Sequence, residues 1–153
     1  MSSNNSLLVI GGSGFLGRAI VDMLLERGNQ RVAVFDLKTD GNFDPRIQVY
    51  QGNILNEDHL LSAFNNSGTT RIIHTASPMP GAPAPSIFWK GLTMQLGDNT
   101  NLFDFLYVEN AAYAVILAAE KLSGPVEENP VTGQVSIITN DDPPPFWDLA
   151  RAV

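Results

Sequence analysis

The chain has no cysteine. That excludes disulfides, thiolate metal sites and a cysteine nucleophile, and it suits a cytoplasmic location. Basic residues are scarce: nine Lys and Arg stand against 16 Asp and Glu, for a formal net charge of −7. A chain this acidic repels a phosphate backbone, so nucleic acid is not an expected partner. No apolar run approaches the roughly 18 residues of a membrane-spanning helix. The nearest, residues 108–119, is interrupted by Glu109 and Asn110. Met1–Ser6 is polar and lacks the basic start of a secretory signal. No His/Asp/Glu grouping has metal-ligand spacing, so no metal is expected. A hydrophobic fraction of 44% across 153 residues is still enough for one compact core.

What is present alternates. Leu7–Ile10 is wholly apolar and closed by glycines, which predicts a parallel strand buried on both faces. Residues 14–27 carry Phe15, Ala19, Met23 and Leu24 on helical spacing, with Gly28 as the stop. Further strands are predicted over 31–36, 47–50 and 71–76, and a helix over 56–64 with Asn56 as its cap. Strands alternating with helices imply a parallel sheet with right-handed crossovers. The pattern breaks at PMPGAPAP, residues 78–85, whose prolines lack an N–H. Beyond it a short strand is predicted over 102–108, a helix over 109–122, a strand over 134–140 and a helix start over 141–153. The helix over 109–122 is apolar nearly all round. It calls for burial on most sides, and incomplete cover predicts an apolar patch and marginal stability.

GGSGFLG, residues 11–17, follows the first strand and opens the first helix. Gly11, Gly14 and Gly17 permit a tight turn, close approach of a diphosphate, and close packing of helix on strand. The free N–H groups of the helix start, at Phe15 and Leu16, then face the phosphates. Asp36 ends the second strand 25 residues after Gly11, where an acid accepts the ribose hydroxyls and favours NAD over NADP. Arg18 and Lys38 are near enough in sequence to keep NADP open as an alternative. Asn53 and Ile54 follow the third strand and flank the adenine side. Ala76 and Ser77 follow the fourth strand and line the way to the nicotinamide.

GGSGFLG, the FD at 35–36 and the HTASP at 74–78 resemble the extended short-chain dehydrogenases/reductases. Residues 95–122 and 132–153 resemble the 3β-hydroxysteroid dehydrogenase and sterol-4α-carboxylate 3-dehydrogenase branch of that family. The resemblance implies a nicotinamide cofactor and oxidation of a ring hydroxyl on a sterol- or terpenoid-like small molecule. It also implies an α/β fold: a truncated Rossmann-like parallel sheet with helices on both faces, plus a remnant of the smaller substrate domain. The expected division is an N-terminal Rossmann half over 1–77, a proline-rich linker over 78–90 and a substrate-side remnant over 91–153.

One departure bears on activity. The family's reaction needs a Tyr as acid/base and a Lys four residues later. Here the tyrosines are Tyr50, Tyr107 and Tyr113, and the residues four places on are Ile54, Ala111 and Leu117. No catalytic residue is assigned, and Ser77 lies on the wrong strand to replace the family's serine. The family's fifth and sixth strands have no counterpart, so the chain reads as internally deleted and C-terminally truncated. His74 reads as a satisfied structural residue inside an apolar strand and His59 as a solvated one. Asp104 and Tyr107 read as turn and packing contacts, and Trp89 and Trp147 as core.

The readings are then an oxidoreductase by resemblance, a non-catalytic NAD-binding module or partner subunit, a deletion product without function, or a small isomerase reusing the pocket. The loss of two strands leaves the fourth as an open edge. The segment 134–140 of the same chain, or a second chain in a homo- or hetero-oligomer, is expected to cover it.

Overall fold

A computed structural model describes residues 6–29, 31–39, 41–77, 98–122, 131–145, 147, 148 and 151. Its elements are β1 (Leu7–Ile10), α1 (Phe15–Glu26), β2 (Val32–Asp36), β3 (Gln48–Gln51), α2 (Glu57–Ser67), β4 (Arg71–His74) and α3 (Val108–Lys121). The strands form one parallel sheet in the order β3-β2-β1-β4, with Leu7 opposite both Val32 and Arg71. The helices lie on both of its faces, as the alternation predicts.

The strand sequences follow from position in the sheet. β1 is central, so all four residues of LLVI are buried. Leu7 and Val9 face one way, and pack with Val32, Val34 and Ile73 beneath Ile20, Val21 and Leu24 of α1 and Ala112 and Ile116 of α3. Leu8 and Ile10 face the other way, with Ala33 and Phe35 beneath Ala63 of α2. Each fully buried aliphatic side chain contributes roughly 1.5–3 kcal/mol. β3 is an edge, so its QVYQ is polar and mostly exposed. Arg27 ties α1 to α3, with Nη2 3.0 Å from Glu120 Oε1 and its guanidinium 5.5 Å from the Tyr113 ring centre.

The chain divides into two compact units, one of Met1–Ser77 with Val108–Ser136 and one of Pro78–Tyr107 with Ile137–Val153. In the second, Phe103 N–H donates to Pro144 O at 3.0 Å, and Asp104 accepts from Asn140 N–H at 2.9 Å. Tyr107 is exposed. The linker 78–90 and Trp89 lie outside the described residues. Among those residues no helix is long and apolar enough to cross a membrane.

Three expectations are corrected. Residues 102–108 form no strand: only Leu102 makes an isolated antiparallel bridge, to Pro145. Residues 134–140 form no strand either, and Val135 and Ile137 are 95% and 89% exposed. Their β-branched pattern needs a strand alongside to be satisfied, and among the described residues β4 pairs only with β1. His74 is exposed rather than enclosed. It lies opposite Ile10 in register, on the α2 face, but α2 packs over β2 and β3 with Phe35 and Tyr50. Among the described residues no helix covers the β4 side of that face, and Ile72 is 51% exposed for the same reason.

The loop from β2 to β3 carries a local charge clasp. Arg46 donates to Asp44 from its backbone N–H at 2.9 Å and from Nε and Nη2 at 2.8 Å each. These hydrogen bonds, first the side-chain ones and then the backbone one, hold the Asp44 carboxyl at about 2, below its usual 3.8. A depressed carboxylate adds stability above its unfolded pKa and loses it as pH falls through the folded one. NMR titration of the side-chain carboxyl should therefore find Asp44 still ionised at pH 3, and the clasp's contribution should vanish between about pH 4 and 2.

Candidate nucleotide site

The glycine loop is shaped by backbone that has no room for side chains. Gly11 has φ +82°, a left-handed conformation suited to glycine, and a Cβ there would lie 2.7 Å from Ala76 N. A Cβ on Gly12 would lie 2.7 Å from Val34 Cγ1, and one on Gly17 would overlap the Gly11 carbonyl. Gly14 is looser, with only Gly11 O at 3.2 Å from an added Cβ. Gly11 N–H donates to Phe35 O at 2.8 Å and Gly14 N–H to Gly11 O at 3.0 Å, which anchors the turn to the ends of β1 and β2.

This places the start of α1 at the carboxyl ends of the strands. Gly14 is its extended N-cap, with no side-chain cap and no acid in the first turn. The first helical bond runs from Arg18 N–H to Gly14 O at 2.8 Å. The N–H groups of Phe15, Leu16 and Gly17 thus precede any intrahelical acceptor. Together with the helix dipole they make an anion-binding terminus. α2 is the internal contrast. Asn56 caps His59 N–H at 3.2 Å, and Glu57 and Asp58 already supply negative charge.

Asp36 meets this terminus. Its Oδ2 accepts Ser13 N–H at 2.9 Å, and its own carbonyl accepts Gly52 N–H at 2.8 Å. Among the described residues the buried Ser13 hydroxyl has no hydrogen-bond partner. A buried hydroxyl left unbonded is costly, and a ligand oxygen at the loop would satisfy it. The cradle, the three N–H groups and this hydroxyl fit a diphosphate.

The sequence-predicted residues separate into those the fold brings together and those it does not. Gly11, Gly14, Gly17, Asp36 and Ala76 converge on the loop. Phe15 and Leu16 diverge: Phe15 is 83% exposed, while the Leu16 side chain packs on the core and leaves only its backbone N–H for a ligand. Asn53 and Ile54 follow β3 and are exposed, with Asn53 N–H donating to His59 Nδ1 at 3.2 Å. Ala76 and Ser77 are exposed past the end of β4. Sequence reading missed Gly12, Ser13 and Thr75. The Thr75 hydroxyl donates to Ile10 O at 2.9 Å and joins the end of β4 to β1. The doubled glycine at 11–12 signalled the first; nothing local signals the other two.

Residues 7–87 match the pattern of the NAD dependent epimerase/dehydratase family, and residues 87–153 that of the 3-beta hydroxysteroid dehydrogenase/isomerase family. The decarboxylating sterol-4-alpha-carboxylate 3-dehydrogenase of Candida albicans is 25% identical over 261 aligned positions, covering 99% of this chain and 75% of that protein. With 153 residues against 261 positions, at least 108 positions of the alignment face a gap in this chain. The protein of the same name from Saccharomyces cerevisiae is 52% identical over 59 residues, 39% of this chain and 17% of that protein. Among solved structures, the UDP-glucose 4-epimerase of Thermus thermophilus in complex with NAD matches with a TM-score of 0.44 and 30% identity, over 48% of this chain and 24% of that one.

Proposed function

This chain belongs to the NAD dependent epimerase/dehydratase family, and from that premise we propose that it binds NAD at its glycine loop without itself carrying out hydride transfer. The observation that carries the reading is the uncapped start of α1, held against the ends of β1 and β2 by glycines that admit no Cβ. In this reading the N–H groups of Phe15, Leu16 and Gly17 hold the diphosphate. Asp36 exchanges Ser13 N–H for the ribose hydroxyls. Asn53 and Ile54 border the adenine, and Ala76 and Ser77 border the nicotinamide path. When bound, the dinucleotide supplies the hydride-accepting ring.

The proton that accompanies a hydride has no keeper. No tyrosine of the chain is followed four residues later by a lysine. A positioned acid/base is typically worth about 10²–10⁴ in rate. The 108 or more gap positions against the Candida relative support a missing internal portion. The names of the relatives favour descent from an oxidoreductase acting at the 3-position of a sterol, and a terpenoid ring is the neighbouring chemistry.

Calorimetric titration with NAD, paired with a spectrophotometric assay on a 3-hydroxysterol, tests this. Saturable NAD binding with no NADH formation is expected. Asp36→Ala should weaken that binding about tenfold, the worth of hydrogen bonds to a charged group. Turnover of the sterol would instead establish the oxidoreductase. Absence of binding by a folded sample would remove the reading altogether.

A further inference from the structure

A phosphorylated dinucleotide differs from NAD at the adenosine ribose, which the reading above sets at Asp36 at the end of β2, and the chain holds a cation against the loop that follows this strand. Arg18 leaves the first turns of α1 and reaches the loop that follows β2. Its Nη2 donates to Asn42 O at 2.6 Å, and its guanidinium lies 4.5 Å from the Phe43 ring centre. A Cβ on Gly41 would come within 3.2 Å of Nη1, so the guanidinium lies against that backbone. An open groove runs from Ser13, Gly14 and Phe15 past Arg18 to Asp22. The cation therefore borders the same surface as the diphosphate cradle.

Arg18 does not face this groove unneutralised. One helical turn on, both carboxylate oxygens of Asp22 lie 3.2 Å from Arg18 Nε. Resting on the NAD-binding reading above, we propose that Asp22 is a specificity-determining positioning residue. It holds Arg18 along α1 and the 41–43 loop, withholds the guanidinium from a ribose 2′-phosphate, and so keeps the site selective for NAD over NADP. Asp36 repels the same phosphate directly, and Asp22 removes the counter-charge that would offset it. The loop after β2 carries two further cations: Lys38, whose backbone N–H donates to Asp36 Oδ1 at 3.4 Å, and Arg46, which is paired with Asp44.

The experiment is calorimetric titration of the full chain with NAD and with NADP. Asp22 is 52% exposed and outside the core, so Asp22→Ala and Asp22→Asn should keep the fold, which circular dichroism checks. Asp22→Ala should raise the ratio of NADP to NAD affinity about fivefold, the scale of one screened surface ion pair. Asp22→Glu, which can pair Arg18 again, should restore the original ratio. Arg18→Met combined with Asp22→Ala should erase the gain. An unchanged ratio in Asp22→Ala, with NAD still bound, overturns this proposal alone. A gain that survives in the double variant, and falls only on Lys38→Ala, overturns it in favour of Lys38. Failure of the unaltered chain to bind either dinucleotide overturns the NAD reading and this proposal together.

Discussion

Gly17→Ala should destabilise the protein by about 3 kcal/mol or more and abolish dinucleotide binding. The sign is the opposite of helix propensity, since alanine is favoured over glycine in a helix interior by about 1 kcal/mol. Here the added methyl would overlap the Gly11 carbonyl and lie 2.8 Å from Gly12 Cα. All of these are backbone atoms, so no rotamer change relieves them. The loop cannot retreat either, because Gly12 is closed off by Val34 and Gly11 by Ala76. The helix must move off the sheet or the loop must open, and either change breaks the diphosphate cradle. Gly14→Ala is the matched control. Its φ of −75° suits any residue, and an added Cβ would meet only Gly11 O, at 3.2 Å. Urea denaturation of the three proteins reads the difference. A Gly17→Ala protein as stable as the unaltered one would mean that the close packing of α1 on the loop is not what the structure shows.

Ile116→Ala should cost about 2–5 kcal/mol, the range for truncating a buried isoleucine. Ile116 is 1% exposed and shares one cluster with Ile20, Val21 and Leu24 of α1 and Ile73 of β4. It sits in the part of the chain that matches the 3-beta hydroxysteroid dehydrogenase/isomerase family, while its neighbours sit in the part that matches the epimerase/dehydratase family. The substitution therefore measures how far α3 completes the core of the first part. Small domains are stable by only about 5–15 kcal/mol, so a loss of this size would leave little in reserve. Leu117→Ala, one position on and partly exposed, should cost much less. A loss below about 1 kcal/mol for Ile116→Ala would show that 6–77 is stable without α3.

Much of the first unit was legible because its signals are local. Leu7–Ile10 is apolar without alternation, which only a strand covered on both faces tolerates, and the glycines after it leave one way for the chain to turn. Asn56 caps the start of α2, as its side chain predicts, whereas the helix runs past the expected end at 64 to Ser67, where Gly68 stops it in the left-handed conformation. The later segments were misread because their patterns speak of what a residue prefers rather than what it finds. Val135, Ile137 and Ile138 have strand chemistry, yet a strand exists only if another lies alongside. His74 has apolar neighbours in sequence, but its exposure depends on where α2 lies, some ten residues earlier in the chain.

By itself the sequence determined the order of strands and helices from β1 to β4, the glycine turn, the acid at the end of β2, the net negative charge and the lack of a Tyr-x-x-x-Lys pair. These depend on neighbours within a few residues or on residue identity alone. Only the tertiary structure decided that Asp36 meets Ser13 N–H, that Thr75 ties β4 to β1, that Arg18 reaches Asn42, and that α3 rather than α2 completes the Leu7 face. Those contacts join residues 23 to more than 60 positions apart. Which distant groups meet is settled by how whole faces pack, and no local pattern encodes that.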